Sequence, residues 1–137
     1  MTNTFVQAAK KVLQTEADAL EILKNELPND FSHLVKLILS LNGRVIVSGV
    51  GKSGHIGNKI AATLASTGTP AFFIHATEAS HGDLGMITEN DLCLLISNSG
   101  ETSEIFDILT HARRFNIPVA TISSNSESTL VKAADFK

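Results

Sequence analysis

Two short stretches hold most of the polar chemistry in this chain. The first, Ser48-Gly-Val-Gly-Lys-Ser-Gly54, follows an apolar run and opens a helical pattern. Such a turn brings backbone N–H groups close to an anion, and the helix N-terminus adds a partial positive charge. Gly49, Gly51 and Gly54 also fit the G-x-G-x-x-G dinucleotide pattern. The acid that pattern wants at the end of the next strand is absent: His75 stands there, and Glu78 is the nearest carboxylate. An ATP-type phosphate loop fails as well, because it needs glycine where Ile46 stands. A glycine turn serving only strand-to-helix geometry is the plain alternative.

The second stretch, Ser97-Asn-Ser-Gly-Glu-Thr-Ser-Glu104, sets the hydroxyls of Ser97, Ser99, Thr102 and Ser103 where another helix begins. Hydroxyls above unpaired helix N–H groups can hold a phosphate dianion without a cluster of arginines. Helix capping also uses Ser and Thr, but a cap needs only one of them. A third set, Ser123, Ser124 and Asn125, reads equally well as turn chemistry or as part of a binding rim. Between them, His75, Glu78, His81 and Asp83 cluster in or beside residues 76–90. A histidine and an acid beside an anion pocket suit proton transfer near neutral pH. Ordinary loop polarity competes with that reading. A metal site built from His75, Glu78 and His81 lacks a fourth ligand, so none is predicted.

The elements that must carry these groups follow from hydrophobic periodicity. Val6, Ala9, Leu13, Ala17, Leu20, Leu23 and Leu27 recur at helical steps and predict one long amphipathic helix over residues 1–27. Pro28 ends it, Asn29 or Asp30 caps a second helix, and Gly43 stops that one. Beyond this point short apolar runs alternate with helical patterns. Strands are predicted at 44–48, 71–74, 92–96 and 119–122, and helices at 53–66, 102–115 and about 126–134. Residues 76–90 read as a long functional loop holding at most one short helix. Strands apolar throughout belong to a sheet covered on both faces, and alternation with helices implies parallel pairing. The expected architecture is a three-layer α/β/α sandwich with a parallel sheet, preceded by helices. Ser48, Ser97 and Ser123 should then share the rim where such sheets bind ligands. The long N-terminal stripe predicts a homo-oligomer, with packing against the chain's own sheet as the alternative.

Composition bounds the function. The 137 residues hold 11 Lys+Arg against 14 Asp+Glu, a net charge of −3, and only 5% aromatic residues with no Trp or Tyr. That balance predicts neither a nucleic-acid nor a membrane partner. No apolar run approaches a membrane span, and the start lacks a signal peptide's layout, so a cytoplasmic chain is expected. A single cysteine, Cys93, fits a reducing compartment and is most simply a buried apolar residue.

Taken together, Gly49-Val-Gly-Lys-Ser-Gly54, Ala61-Ala-Thr-Leu-Ala-Ser-Thr-Gly68, Glu78-Ala-Ser-His-Gly-Asp-Leu-Gly-Met86 and Ser97-Asn-Ser-Gly-Glu101 resemble the sugar isomerase (SIS) domain family. Within it the chain resembles the arabinose 5-phosphate isomerases, from about Lys10 to its last residue. The resemblance implies a flavodoxin-like fold and one SIS domain over residues 1–137, with a helical segment at 1–42 and an α/β core at 43–137. It implies interconversion of D-ribulose 5-phosphate and D-arabinose 5-phosphate, a step that feeds lipopolysaccharide synthesis, with no cofactor. The alternative is a non-catalytic sugar-phosphate-binding module; a nicotinamide enzyme rests on the glycine pattern alone. By the resemblance, Ser97, Ser99 and Thr102 grip phosphate, with Asn98 and Gly51 beside them, and Ser53 contacts substrate. Lys52 and Glu104 match catalytic positions, and His81 a residue at the site's mouth. Aldose–ketose exchange needs a base to move a proton between neighbouring carbons through an enediolate. Glu104 suits the base, and Lys52 suits the charge developing on oxygen. Family members continue with a fifth strand, a second catalytic Glu and a His. The chain is therefore expected to be C-terminally truncated, its core incomplete and its unaided turnover in question.

Overall fold

Four strands form one parallel sheet in the order β2-β1-β3-β4. In chain order they are β1 (Val45–Gly49), β2 (Ala71–His75), β3 (Leu92–Ile96) and β4 (Val119–Ile122). The computed structural model describes residues 3–137; the start of the first predicted helix, residues 1–2, lies outside them. Every residue of β1 is buried, as a central strand covered on both faces requires. The order reverses between β1 and β3. β2 lies to one side of β1, while β4 lies beyond β3, which makes the β1–β3 crevice the topological switch point where open α/β sheets take ligands.

Helices cover both faces. α2 (Phe31–Ser40) and α3 (Gly51–Ser66) pack on one, where Leu34, Leu37, Ile38, Ala61 and Leu64 meet Val45, Val47, Phe73 and Leu92. On the other face lie α4 (Ala76–Ser80), α5 (Ser103–Arg114) and α6 (Thr129–Ala133). Ala79, Ile105, Ile108, Leu109, Ala112 and Leu130 there bury Ile46, Ile74, Cys93, Leu95 and Val119.

α1 (Thr4–Asn25) stands apart. The Asn3 side chain caps it by accepting from Phe5 N at 3.1 Å, yet none of its residues is buried. Leu13 and Leu20 remain 66% and 68% exposed. The helix forms as its periodicity predicts, but it does not lie on the chain's own sheet.

Some boundaries move. α2 stops short of Gly43, which lies instead against the Asn90 carbonyl. Residues 76–90 contain α4 and a 3-10 turn at Asp83–Met86, more helix than the predicted loop. Past α6, Phe136 makes one parallel bridge to Ala120, on the side of β4 where a fifth strand would begin.

The N-terminal edge of the sheet is clamped by ion pairs. Asp91, entering β3, accepts from Arg44 N at 2.8 Å and pairs with the Arg44 guanidinium at 3.1 Å. Thr88 N and its hydroxyl reach the same carboxylate. Burial pushes the Asp91 carboxyl up, but Arg44 and these N–H donors outweigh it and leave it below the usual carboxylate range. Beside β4, Asp135 accepts from Val119 N at 2.8 Å and pairs with Arg113 at 3.0 Å.

Candidate functional site

Parallel register puts Gly49, His75 and Ile96 at one level, with Ile122 beside Ile96. Val50, Ser97 and Ser123 therefore leave the sheet together. Ser48 lies one residue too early for the predicted rim. It is fully buried, and its hydroxyl donates to the Ile74 carbonyl at 2.7 Å. It fastens β1 to β2 instead of facing a ligand.

After β1 the chain turns at once into α3. Gly51 takes a left-handed φ of 57°, which non-glycine residues rarely adopt. Lys52 is exposed beside it, and Ser53 is half-buried. After β3 the segment is built differently. The Ser97 hydroxyl lies 2.7 Å from the Thr102 hydroxyl and accepts from Gly100 N at 3.1 Å. The Ser99 hydroxyl accepts from Glu101 N at 3.2 Å. The Asn98 carbonyl accepts from Ser124 N and from the Ser123 and Ser124 hydroxyls. Gly100 has φ of 68°, and a Cβ there would overlap the Ser128 hydroxyl. Only glycine fits that place.

The helix starts differ in their side-chain caps. α1, α4 and α6 receive side-chain caps from Asn3, His75 and Ser128. α3 and α5, both opening at the switch crevice, receive none, although Thr102 sits at the N-cap of α5. The Thr102 hydroxyl goes to Ser97 instead. First-turn N–H groups without a side-chain partner seek an acceptor from elsewhere. α2 also lacks a side-chain cap, and its Asp30 accepts from Lys137 N. Ser53, Asn98, Ser123 and Ser124 surround a depression of about 330 Å³ floored by Ile96 and Ile122. The rim thus brings Ser53, Asn98 and the serines after β4 together, next to the Ser97–Thr102 pair.

None of the acid–base candidates lines this depression. Glu104 lies in the first turn of α5. Its own backbone N–H, the Ser103 hydroxyl at 2.8 Å and the nearby His75 hold its carboxyl below the usual carboxylate range. His75 uses Nδ1 to accept from Thr77 N at 3.3 Å, so its role in the fold is to cap α4. His81 closes α4, exposed, with no side-chain hydrogen bond among the described residues. Lys52 likewise has no side-chain partner among them. No three His, Cys, Asp or Glu side chains converge for a metal among the described residues.

Glu101 escaped the sequence reading. Its carboxylate is not among the groups lining the depression and accepts from Thr129 N at 2.7 Å. The one available signal was its oddity: a negative charge inside a segment of hydroxyls suited to an anion.

A model of the SIS domain matches residues 38–137. Arabinose 5-phosphate isomerase KdsD of Yersinia pestis is 56% identical over 132 residues, 96% of this chain and 40% of that protein. KdsD of Pseudomonas aeruginosa is 50% identical, again over 96% of this chain and 40% of its own length. The chain thus spans about two-fifths of these curated relatives. Among solved structures, an Escherichia coli CFT073 protein in complex with arabinose 5-phosphate aligns with a TM-score of 0.90 at 42% identity, covering 99% of this chain and 73% of that one. Vibrio vulnificus NanR complexed with ManNAc-6P aligns with a TM-score of 0.84 at 21% identity, covering 94% of this chain and 49% of that one. That likeness concerns the fold.

Proposed function

The chain belongs to the SIS domain family, and on that premise we propose that it is the sugar-phosphate domain of an arabinose 5-phosphate isomerase. The carrying observation is that both helices opening at the switch crevice start without side-chain caps, with the Ser97–Thr102 hydroxyls between them. A phosphate monoester supplies an acceptor for the N–H groups still without one; in α5 the Ile105 N–H already donates to the Thr102 carbonyl and the Glu104 N–H to its own carboxylate. In this reading Ser97, Ser99 and Thr102 hold the phosphate with Asn98 and Gly51, and Ser53 holds the sugar. Glu104 lifts the proton from the carbon beside the carbonyl and returns it to the neighbouring carbon. Lys52 stabilises the enediolate oxygen, and His81 lines the entrance. The scheme calls on no cofactor.

The proposal extends to the setting. The product supplies the acid sugar of lipopolysaccharide, in the cytoplasm. Cys93 is buried, and burial pushes its thiol up to about 12. Among the described residues no helix is long and apolar enough to cross a membrane. The uncovered stripe of α1 supports a homo-oligomer joined through that helix. Leu13→Glu with Leu20→Glu should yield a smaller species in sedimentation velocity, and an unchanged sedimentation coefficient would remove that interface.

The test of function is conversion of ribulose 5-phosphate by the purified chain, followed as arabinose 5-phosphate formed, alongside calorimetric binding of the same sugar. One observation favours a second reading, binding without turnover: none of the acid–base candidates lines the depression. Binding with no conversion selects that reading. Absence of binding rejects both.

A further inference from the structure

The carboxylate of Glu101 is the least expected group near the depression, because a negative charge should repel the anion the hydroxyls suit. Its geometry resolves the conflict. Oε1 accepts from Thr129 N at 2.7 Å, across 28 residues of chain, and that N–H belongs to the first residue of α6. The next N–H, of Leu130, donates to the Gly100 carbonyl at 3.1 Å. Gly100 in turn packs against Ser128 so closely that no side chain fits. Three neighbouring contacts therefore tie the start of α6 to residues 100–101. Each adjoins a bond that shapes the hydroxyl cluster: Gly100 N reaches the Ser97 hydroxyl, and Glu101 N the Ser99 hydroxyl.

We propose that Glu101 is a positioning residue. By fastening its carboxylate to the Thr129 N–H, it fixes the backbone between Ser97 and Thr102 in the shape that receives phosphate. The charge is spent on the Thr129 N–H at the start of α6. This inference rests on the phosphate-binding reading above, and its first readout does not need a ligand.

The bond can be cut from either side. Glu101→Ala removes the acceptor, and Glu101→Gln keeps an oxygen there. Thr129→Pro removes the donor; proline suits the first residue of a helix. Ser128 before it, at φ −67° and ψ 157°, already has the extended backbone that proline demands of its predecessor. In the ligand-free chain, amide exchange at Gly100 and Glu101 should speed up about tenfold in Glu101→Ala, the worth of one charge-assisted hydrogen bond. It should speed up similarly in Thr129→Pro, and the double variant should add nothing further. Glu101→Gln should restore most of the protection. With inorganic phosphate and ribulose 5-phosphate as probes, Kd should rise by about the same factor in the first two variants and recover in Glu101→Gln. Unchanged exchange in Glu101→Ala, or additive effects in the double variant, would overturn the role. Exchange that changes as expected in a chain that binds neither probe would keep Glu101 as the tether and sink the phosphate reading instead.

Discussion

The two edges of the sheet are held by different forces. At the N-terminal edge, Arg44 with Asp91 and Arg113 with Asp135 are ion pairs reinforced by backbone N–H donors. At the C-terminal edge, hydroxyls, carbonyls and amides bond to one another, and the carboxylate of Glu101 is drawn off toward α6. A buried charge is tolerable when its partners are permanent, as those of Asp91 are. On the proposed reading the opposite edge exchanges its partners with a ligand, and there neutral dipoles cost less to leave waiting. The contrast separates groups that secure the fold from groups that stay available.

If that division is right, Asp91→Ala should cost about 4 kcal/mol of stability, because it leaves the Arg44 and Thr88 N–H groups without their acceptor. Denaturant unfolding measures the loss, while phosphate affinity in the surviving folded fraction stays within twofold. The pH dependence has a defined sign. The folded carboxyl lies below its usual value, so its contribution is complete above the unfolded carboxylate range and is lost as pH falls through the folded pKa. Asp91→Asn should flatten that acid limb of the stability curve. An affinity loss matching the stability loss would erase the division.

Gly100→Ala should come next, at about 3 kcal/mol, since it adds both a left-handed strain and an overlap with Ser128. Unlike Asp91→Ala it should weaken phosphate binding as well. Gly51→Ala, at a positive φ but in open space, should cost only about 1–2 kcal/mol. Equal losses at the two glycines would show that packing against α6 contributes nothing.

Glu104→Gln should lower kcat for ribulose 5-phosphate by about a hundredfold with little change in melting temperature or phosphate affinity. Unchanged kcat would reassign the base. Ser97→Ala should be milder, raising Kd for phosphate by about tenfold and costing about 1 kcal/mol, because it takes away the Thr102 hydroxyl's partner while Gly100 N keeps the Ser97 carbonyl. Ser103→Ala should have the smallest effect. It removes one of the bonds holding the Glu104 carboxyl low, so the acid limb of kcat/KM should move toward higher pH. A limb that moves down or stays fixed would detach Glu104 from that limb.

The strands were legible because four short apolar runs without alternation leave little choice of assignment. α3 starts at Gly51, earlier than the apolar pattern implied, since a positive φ at a helix start has no periodic signature. α4 was expected only as at most one short helix somewhere in residues 76–90, because five residues are too few for a period to place it; Ala76 and Ala79 are helical where they pack on the core. The two stretches that suggested anion chemistry do converge, through register that places Val50 level with Ser97. Ser48 was misread because the sequence does not show that its hydroxyl has the Ile74 carbonyl within reach. Glu101 and Arg44–Asp91 depend on partners 28 and 47 residues away, distances over which no local pattern speaks.

The Ser97–Thr102 pair has one more consequence. Either oxygen can be the donor in that bond, so a small rotation of two O–H vectors turns an acceptor toward the crevice into a donor without displacing any heavy atom. A recess lined this way can greet a singly or doubly ionised ester alike. Dipoles reach only a few ångströms, so whatever dependence capture has on ionic strength should come from Lys52 and not from the hydroxyls.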